Sequence, residues 1–316
     1  FKKAGIRVSV NPWTTLGHTD RGRTLREGQD FARMVSPSGK IAKLCASPAC
    51  PQWRAYICDM YARFAACGFE VLWIEDDWRF HNHAPLDWGG DFSPLMCEKF
   101  SKKIGKKVSR EELVAAVLKP GDPHPWREKW FETWRETSEG NAAAIRDAVA
   151  AANPESRLGL MSSSPDVHSA EGRNWQGLFE AIAIEKRALQ RPHFAGYHEA
   201  PAQSMIWSCL MLDVQKRFRP EWVGSYPEVE NFPFGLFTKS ATNTWAQMAM
   251  AHIFGSDGLL LDLFTFGGKK TGEEPGIGEM LDAARPAMDF LAKRFQKTHE
   301  SAGAGVPFKT DAALRT

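Results

Sequence analysis

Six short runs rich in apolar and β-branched residues alternate with longer amphipathic stretches along this chain of 316 residues. Each run has the length of a strand, and each longer stretch has the length of a helix. Strands that alternate with helices form βαβ units, which build parallel sheets. The alternation therefore predicts an α/β fold. The predicted strands are residues 5–10, 69–74, 157–161, 194–197, 222–226 and 258–261.

The amphipathic stretches carry clear helix signals. After the first run, Trp53, Ile57 and Tyr61 belong to a single apolar stripe with helical spacing, and Gly68 follows as a C-cap. Ser109 and Glu112 have the spacing of a capping box that opens another helix. Further helices are predicted at 126–153, about 175–190, 202–218, 239–254 and 277–297.

The number of βα units favours one closed architecture. Six units are two short of a (β/α)8 barrel, so we predict a TIM-type barrel that holds strands three to eight, with strands one and two upstream. A doubly wound open sheet is the alternative, but no Gly-x-Gly-x-x-Gly follows a predicted strand. Residues 1–300 would form this barrel, with a long excursion at about 80–125, and 301–316 would lead towards a further domain. Further domains of a longer chain, or a second copy, would then complete it.

Charge and composition exclude several classes of partner. Lys and Arg exceed Asp and Glu by only two, so no basic field indicates nucleic acid. No apolar run approaches the length of a membrane span. Six cysteines without a second close pair favour reduced thiols and hence a cytoplasmic location. Twelve Trp residues suit an enzyme that stacks sugars, although core packing explains any single one equally well.

Acidic and polar residues follow the predicted strands. Catalytic groups of barrels stand at the carboxyl ends of the strands, so these residues are candidates for a site. Clustered acids cost stability, and a purely structural protein has little reason to place them there. The strand ends supply Asn11 and Trp13, then Glu75, Asp76, Asp77, Trp78 and Arg79, then His198 and Glu199, then Glu228, Glu230 and Asn231, and finally Asp262.

The first acidic cluster follows the second predicted strand. Strand alternation places Glu75 and Asp77 on one side and Asp76 on the other. Arg79 can hold one of these carboxylates ionised while crowding raises the pKa of another. An acid and a nucleophile need that difference. Solvated acids at a strand end are the alternative.

The second acidic cluster lies in the segment from Tyr226 to Asn231. Glu228 and Glu230 are two residues apart and share a face of an extended strand. One of them could act as a nucleophile, and the other, or Asn231, could bind substrate hydroxyls. Glu230 is slightly favoured because Asn231 and Phe-Pro-Phe follow it at the mouth of the strand.

With two strands missing, these clusters follow barrel strands four and seven. There the segments Trp-Ile-Glu-Asp-Asp-Trp-Arg and Pro-Glu-Val-Glu-Asn-Phe-Pro resemble those of retaining (β/α)8 glycoside hydrolases, including the family-42-type β-galactosidases. The resemblance spans roughly residues 5–297, although only these two motifs are specific. The clan usually has Asn before its acid/base Glu, whereas this chain has Ile74.

The resemblance implies a glycoside hydrolase that cleaves a β-linked sugar by double displacement and needs no cofactor. One carboxyl among Glu75, Asp76 and Asp77 would be the acid/base, and Glu230 or Glu228 the nucleophile. A carbohydrate is the implied partner. A sugar platform is expected from Trp13, Trp78 or Trp88. The other expected substrate-binding residues are Asn11, Arg79, His81, His83, His198, Glu199, Tyr226 and Asn231.

Two other functions fit the same pattern of residues. His81 and His83, with His198, Glu230 and Asp262, could bind a divalent metal, as in sugar isomerases built on barrels. Alternatively, the chain could be a carbohydrate-binding barrel without catalytic activity. Loss of activity on chelation would favour the first, and saturable sugar binding without turnover would favour the second.

Overall fold

A computed structural model describes residues 1–12, 24–75, 78–80, 86, 90–200, 203–268 and 270–295. The described chain forms two compact units. The first contains residues 1–160 and 166–188, and the second contains residues 161–165 and 189–295. Within the described ranges, no helix is long and apolar enough to cross a membrane.

The first unit combines three parallel strands with a hairpin and six α-helices among its described residues. A 3-10 helix, Lys2–Ala4, precedes them. In chain order the elements are β1 (Ser9–Val10), β2 (Arg33–Val35), β3 (Ile41–Ala46), α1 (Pro51–Ala66), β4 (Val71–Ile74), α2 (Pro94–Ile104), α3 (Arg110–Val117), α4 (Pro125–Ala152), β5 (Arg157–Met161), α5 (Pro165–Ser169) and α6 (Trp175–Ile182).

The parallel strands of this unit are β1, β4 and β5. Strand β4 lies between the other two, with Val71 aligned to Ser9 on one side and to Arg157 on the other. All four residues of β4 are buried, as expected for a parallel strand covered on both faces. Gly159 lies beside the ring of Trp73, where a Cβ atom would come within 2.3 Å of it. The predicted α/β fold with parallel strands is therefore confirmed.

The hairpin β2–β3 was not predicted from the sequence. Its strands are antiparallel, with Arg33 opposite Ala46 and Val35 opposite Ile41, and the register shifts between these two pairs. The excursion after β4 also contains regular structure. It includes α2 and α3, and both helices pack on α4. Both halves of the predicted capping box at Ser109 and Glu112 are present at the start of α3.

Most described Trp residues of the first unit are core residues. Trp130 and Trp134 on α4 are buried with Phe92 and Phe100, and Phe92 stacks on Trp130 with ring centroids 5.0 Å apart. Burying such rings removes more than 150 Å² of surface each, so this cluster is a major source of the unit's stability. The abundance of Trp therefore reflects packing to a large extent.

The second unit also has parallel strands. Strands β6 and β7 pair in parallel, and so do β8 and β9. Val229, in the middle of β8, points into a core that includes Leu212, Met248 and Leu263. A 3-10 helix, Thr271–Glu273, precedes the last helix. The elements are β6 (Ala188–Arg191), α7 (Gln203–Phe218), β7 (Gly224–Ser225), β8 (Glu228–Glu230), α8 (Ala241–Ile253), β9 (Leu260–Asp262) and α9 (Ile277–Arg294).

One predicted strand and one predicted helix are wrong near residue 190. The helix at 175–190 ends at Ile182, and a turn with positive φ at Glu185 and Lys186 leads into β6. Residues 194–197, predicted as a strand, follow β6 without strand pairing. The cause is that Gln190 and Arg191 are polar but buried, so the strand lacks an apolar signature.

Candidate functional site

Two glutamates stand on one face of β8. Glu228 is aligned with Leu260 of β9, and Glu230 is aligned with Asp262. Val229 between them is fully buried on the opposite face, whereas both glutamates are half-buried. Successive side chains of a strand point to opposite faces, so the Glu228 and Glu230 carboxyl groups are neighbours.

Arg191 at the end of β6 binds the first of these glutamates. Its Nη1 donates a hydrogen bond of 2.6 Å to Oε2 of Glu228. The Arg191 side chain is only 6% exposed and that of Glu228 is 20% exposed, so this ion pair is largely shielded from water. A charge-assisted bond of this kind is short and strong, and it fixes the Glu228 carboxylate in place.

Glu230 has a different electrostatic environment. Burial, followed by the charge of Glu228 and a hydrogen bond to it, raises the pKa of Glu230 to about 8. The Arg191 guanidinium opposes this rise, and Asp262 adds to it. Burial and the Glu228 charge also raise the pKa of Asp262. Two adjacent carboxyl groups thus have different partners, and Glu230 retains its proton more readily than an ordinary glutamate does.

A buried lysine lies at the end of the same strand. Lys239 Nζ donates to the carbonyl oxygens of Gly196 and Glu230, both at 3.1 Å, and to Gln247 Oε1 at 2.6 Å. The residue is 8% exposed, and burial lowers its pKa to about 8, against the opposing influence of Glu230 and Glu199. The ammonium therefore belongs to the electrostatic surroundings of Glu230.

Asn231 lines a small cavity beside this strand end. Its backbone N–H donates to Asp262 O and its Nδ2 donates to Leu263 O, while its buried Oδ1 has no hydrogen-bond partner among the described residues. The cavity measures about 120 Å³ and is also lined by Thr265 and Glu274. Glu274 is 5% exposed and accepts hydrogen bonds from the backbone N–H of Thr265. The lining is therefore rich in hydrogen-bond acceptors.

Aromatic rings gather on the loops that follow the strands of this unit. Phe234 stacks on Phe266 with ring centroids 3.9 Å apart, and Phe232 contacts both Tyr197 and Phe234. Phe232 is 49% exposed and Phe266 is 73% exposed. The predicted residue His198 joins this group, because its Nδ1 lies 3.2 Å from the carbonyl oxygen of Phe232.

Two other predicted substrate-binding residues of the second unit have structural contacts. Glu199 is exposed and accepts hydrogen bonds from Ser240 N and Ser240 Oγ at the start of α8, and these bonds lower its pKa. The ring of Tyr226 packs beside Gly224 and Gly258, where added Cβ atoms would lie 3.2 and 2.6 Å from it. Both residues lie in the same unit as Glu230.

The first unit brings together two predicted residues. Nδ2 of Asn11 donates a hydrogen bond of 2.7 Å to Oε2 of Glu75, which is 5% exposed at the end of β4. Arg79 is also buried. Trp78 is 3% exposed and donates through Nε1 to Ser138 Oγ at 2.7 Å. The side chain of Trp78 is thus largely enclosed, and its role as a sugar platform stays a prediction.

Several predicted residues lie outside the described ranges. They include two of the three candidate acids and both candidate metal-binding histidines of the excursion. Among the residues that the structure does describe, no group of three or more His, Cys, Asp and Glu side chains is arranged to hold a metal. The predicted residues outside the described ranges are Trp13, Asp76, Asp77, His81, His83 and Trp88.

Sequence reasoning missed Arg191, Lys239 and Glu274. Arg191 sits at the end of a strand that the apolar pattern did not reveal. Lys239 stands at the start of the predicted helix 239–254, and no feature of the sequence distinguishes it from an exposed lysine. Glu274 lies in the acidic segment before α9, and only its burial distinguishes it from its exposed neighbour Glu273.

Comparison with known proteins finds a similar fold in several solved glycosidases. No family model matches the sequence, and no curated protein matches it. Among solved structures, a β-galactosidase from Halorubrum lacusprofundi has a TM-score of 0.60 at 13% identity, covering 99% of this chain and 52% of its own. A family-42 β-galactosidase from G. stearothermophilus has a TM-score of 0.58 at 10% identity, covering 93% and 47%.

A third solved structure belongs to a different glycosidase. The catalytic domain of a β-amylase from Paenibacillus polymyxa has a TM-score of 0.53 at 12% identity, covering 94% of this chain and 84% of its own. The chain spans about half the length of the β-galactosidases that it matches. The predicted resemblance to the family-42-type β-galactosidases is confirmed at the level of the fold.

Proposed function

We propose that this chain is a retaining glycoside hydrolase that acts on a β-linked sugar, with Glu230 as its nucleophile. The observation that carries the proposal is the difference between the two neighbouring carboxyl groups of β8. Arg191 binds Glu228 at 2.6 Å, so that carboxylate is engaged, whereas Glu230 has no such contact with Arg191 and its carboxyl group attacks once it has lost its proton. The glycosidase folds that the chain resembles support this assignment.

The proposed reaction proceeds in two displacements. A carboxyl group from Glu75, Asp76 or Asp77 gives its proton to the glycosidic oxygen, and Glu230 attacks the anomeric carbon. The glycosidic C–O bond breaks, and the sugar becomes an ester of Glu230. Water then hydrolyses this ester, with the first carboxylate now accepting the proton. The ion pair with Arg191 would hold Glu228 in place during both steps.

The second unit offers groups suited to a sugar. Asn231, Thr265 and Glu274 line the cavity, and side-chain oxygens of this kind can accept hydrogen bonds from the hydroxyl groups of a carbohydrate. Exposed faces of Phe232 and Phe266 could pack against C–H groups. We also propose that the parallel strands form part of a (β/α)8 barrel, as in the glycosidases named above.

Trapping of the intermediate tests the nucleophile. The chain would be incubated with a panel of 2,4-dinitrophenyl 2-deoxy-2-fluoro-β-glycosides, because the fluorine slows both displacements while the dinitrophenolate leaving group keeps formation of the glycosyl ester fast, so the ester accumulates. Mass spectrometry of the digested protein is expected to find one fluorosugar on the peptide that carries Glu230. The Glu230→Gln variant should stay unlabelled. A label on another carboxylate, or turnover with inverted configuration at the anomeric carbon, would contradict the proposal.

Because the charge of Glu228 raises the pKa of Glu230, the Glu228→Gln variant is expected to have a different pH profile of kcat/KM. A nucleophile must be ionised, so kcat/KM of the wild-type chain should rise with pH through the pKa of Glu230, which Glu228 helps to raise to about 8. Loss of the Glu228 charge lowers that pKa. The acid limb of the kcat/KM profile should therefore move to lower pH by about one unit. Exposed Glu221, changed to Gln, is the control and should leave the limb in place.

A further inference from the structure

Lys239 is a buried charged residue that has no role in the reaction proposed above. Its three N–H donors go to two backbone carbonyl oxygens and one amide oxygen, and all three acceptors are neutral. Among the described residues, Lys239 forms no ion pair within 4 Å. A buried ammonium without a counter-charge is costly, and a neutral donor could join the same acceptors at lower cost. The charge itself therefore requires an explanation.

The surroundings of the ammonium are firmly built. Gln247 is fully buried, and its Nε2 donates to the carbonyl oxygen of Phe194 at 2.9 Å, which orients its Oε1 towards Lys239. Gly196 fits closely here, because a Cβ atom at that position would lie 3.0 Å from Gln247 Nε2. Lys239 thereby ties the loop after β6, the end of β8 and α8 to one point. At the end of β8 the acceptor is the backbone carbonyl oxygen of Glu230.

The charged groups near Glu230 include acids that oppose its ionisation and cations that could favour it. The acidic neighbours are Glu228 on the same strand and Asp262 on β9, and both oppose ionisation of Glu230. Glu199, on the loop after β6, is engaged by Ser240. Among the described residues, the Arg191 guanidinium is bound to Glu228 at 2.6 Å. The Lys239 ammonium is bonded to the backbone of Glu230, and after burial Glu230 has the largest influence on the pKa of Lys239.

We propose that Lys239 is a positioning residue for Glu230: its buried ammonium fixes the end of β8 and supplies the positive charge beside which the Glu230 carboxyl ionises. The proposal rests on the proposed function, in which Glu230 must ionise to attack. Coupling between two charges is reciprocal. Loss of the Lys239 charge must therefore disfavour the Glu230 carboxylate, and loss of the Glu230 charge must disfavour the Lys239 ammonium.

Titration by NMR tests this coupling without any substrate. The chain would be labelled with 13C at the Glu δ-carbons, and the Glu230 signal identified by its loss in Glu230→Gln. Lys239→Met is expected to raise the pKa of Glu230 by about one unit or more, the size of effect that a nearby opposite charge has. Lys239→Arg should keep it close to the wild-type value. Exposed Lys293 on α9, changed to Met, is the matched control.

The same variants have a catalytic readout. The acid limb of kcat/KM should move to higher pH in Lys239→Met, and kcat below the limb should fall with little change in KM. If Lys239 only braces the fold, the melting temperature falls while the pKa of Glu230 stays unchanged, and the proposal is overturned. A pKa shift in a chain that turns over no glycoside would overturn the proposed function and leave the coupling established.

A second measurement applies if Lys239→Met does not fold. The ε-carbon of 13C-labelled Lys239 would be titrated in the wild-type chain and in Glu230→Gln, where the lysine is intact. The pKa of Lys239 is expected to be lower in Glu230→Gln, by about the amount that the reciprocal coupling requires. Equal values in the two chains would overturn the proposal.

Discussion

Glu230→Gln is expected to lower kcat for glycoside hydrolysis by roughly 10⁴-fold, because an amide of the same size cannot attack the anomeric carbon. The protein should not unfold. Burial and the neighbouring Glu228 raise the pKa of Glu230 from 4.5 to about 8, so the folded chain binds a proton more tightly than the unfolded chain. The unfolding free energy of the wild type therefore falls as pH rises between these values. A neutral Gln removes that slope.

Chemical rescue separates a lost nucleophile from other damage. With the smaller variant Glu230→Gly, sodium azide is expected to restore cleavage of an activated β-glycoside and to form the α-glycosyl azide. Azide attacks from the side that Glu230 occupied, so the product has inverted configuration. Glu221→Gln, an exposed change of the same kind in the same unit, should keep wild-type activity. Full activity of Glu230→Gln would remove Glu230 from the mechanism.

Elements with a local apolar pattern could be predicted from the sequence. The stripe through Trp53, Ile57 and Tyr61 is buried in α1, and the apolar residues of β4 are buried as well. In each case the side-chain period and the burial agree, because the whole segment faces one core. The capping box at the start of α3 was predictable for a related reason, since all its hydrogen bonds lie within four residues.

Elements whose polar residues are buried could not be predicted. In β6, Gln190 Nε2 donates to Ser162 Oγ at 3.2 Å, and Arg191 binds Glu228, which is 37 positions away. The hydrogen bonds to those partners offset the cost of burying the polar side chains, and no local sequence pattern reveals the partners. The hairpin β2–β3 is similar. Its strands are short, and Ile41, a large apolar residue at the start of β3, is exposed.

The same division holds for the candidate site. That Glu228 and Glu230 share a face follows from their spacing of two, and the structure shows this arrangement. The difference between them does not follow from spacing. It arises because Arg191 binds the Glu228 carboxylate, whereas burial and the charge of Glu228 act on Glu230. The contact between Arg191 and Glu228 joins β6 to β8 across 37 positions, so it becomes visible only in the folded chain.

Asp91→Ala is expected to lower the unfolding free energy of the first unit by about 3 kcal/mol or more. Asp91 is fully buried and accepts hydrogen bonds from Val35 N at 3.1 Å, Ser47 Oγ at 2.6 Å, Ser93 N at 2.8 Å and Ser93 Oγ at 3.1 Å. It thus joins β2 and the segment after β3 to the start of α2. Alanine leaves these buried donors without an acceptor, which costs more than the bonds themselves contribute.

Asp91→Asn should lose far less stability, by about 1 kcal/mol. Its Oδ1 can still accept from the two backbone N–H groups, and the Ser hydroxyls can rotate to accept from its Nδ2. Burial also raises the pKa of Asp91 to about 6 despite these bonds, so a neutral side chain avoids the cost of a buried charge. Urea unfolding followed by Trp fluorescence reports on this unit through Trp130 and Trp134. Asp122 is exposed, so Asp122→Ala is the control. If it lowers the unfolding free energy as much as Asp91→Ala does, the hydrogen bonds of Asp91 have no special role in stability.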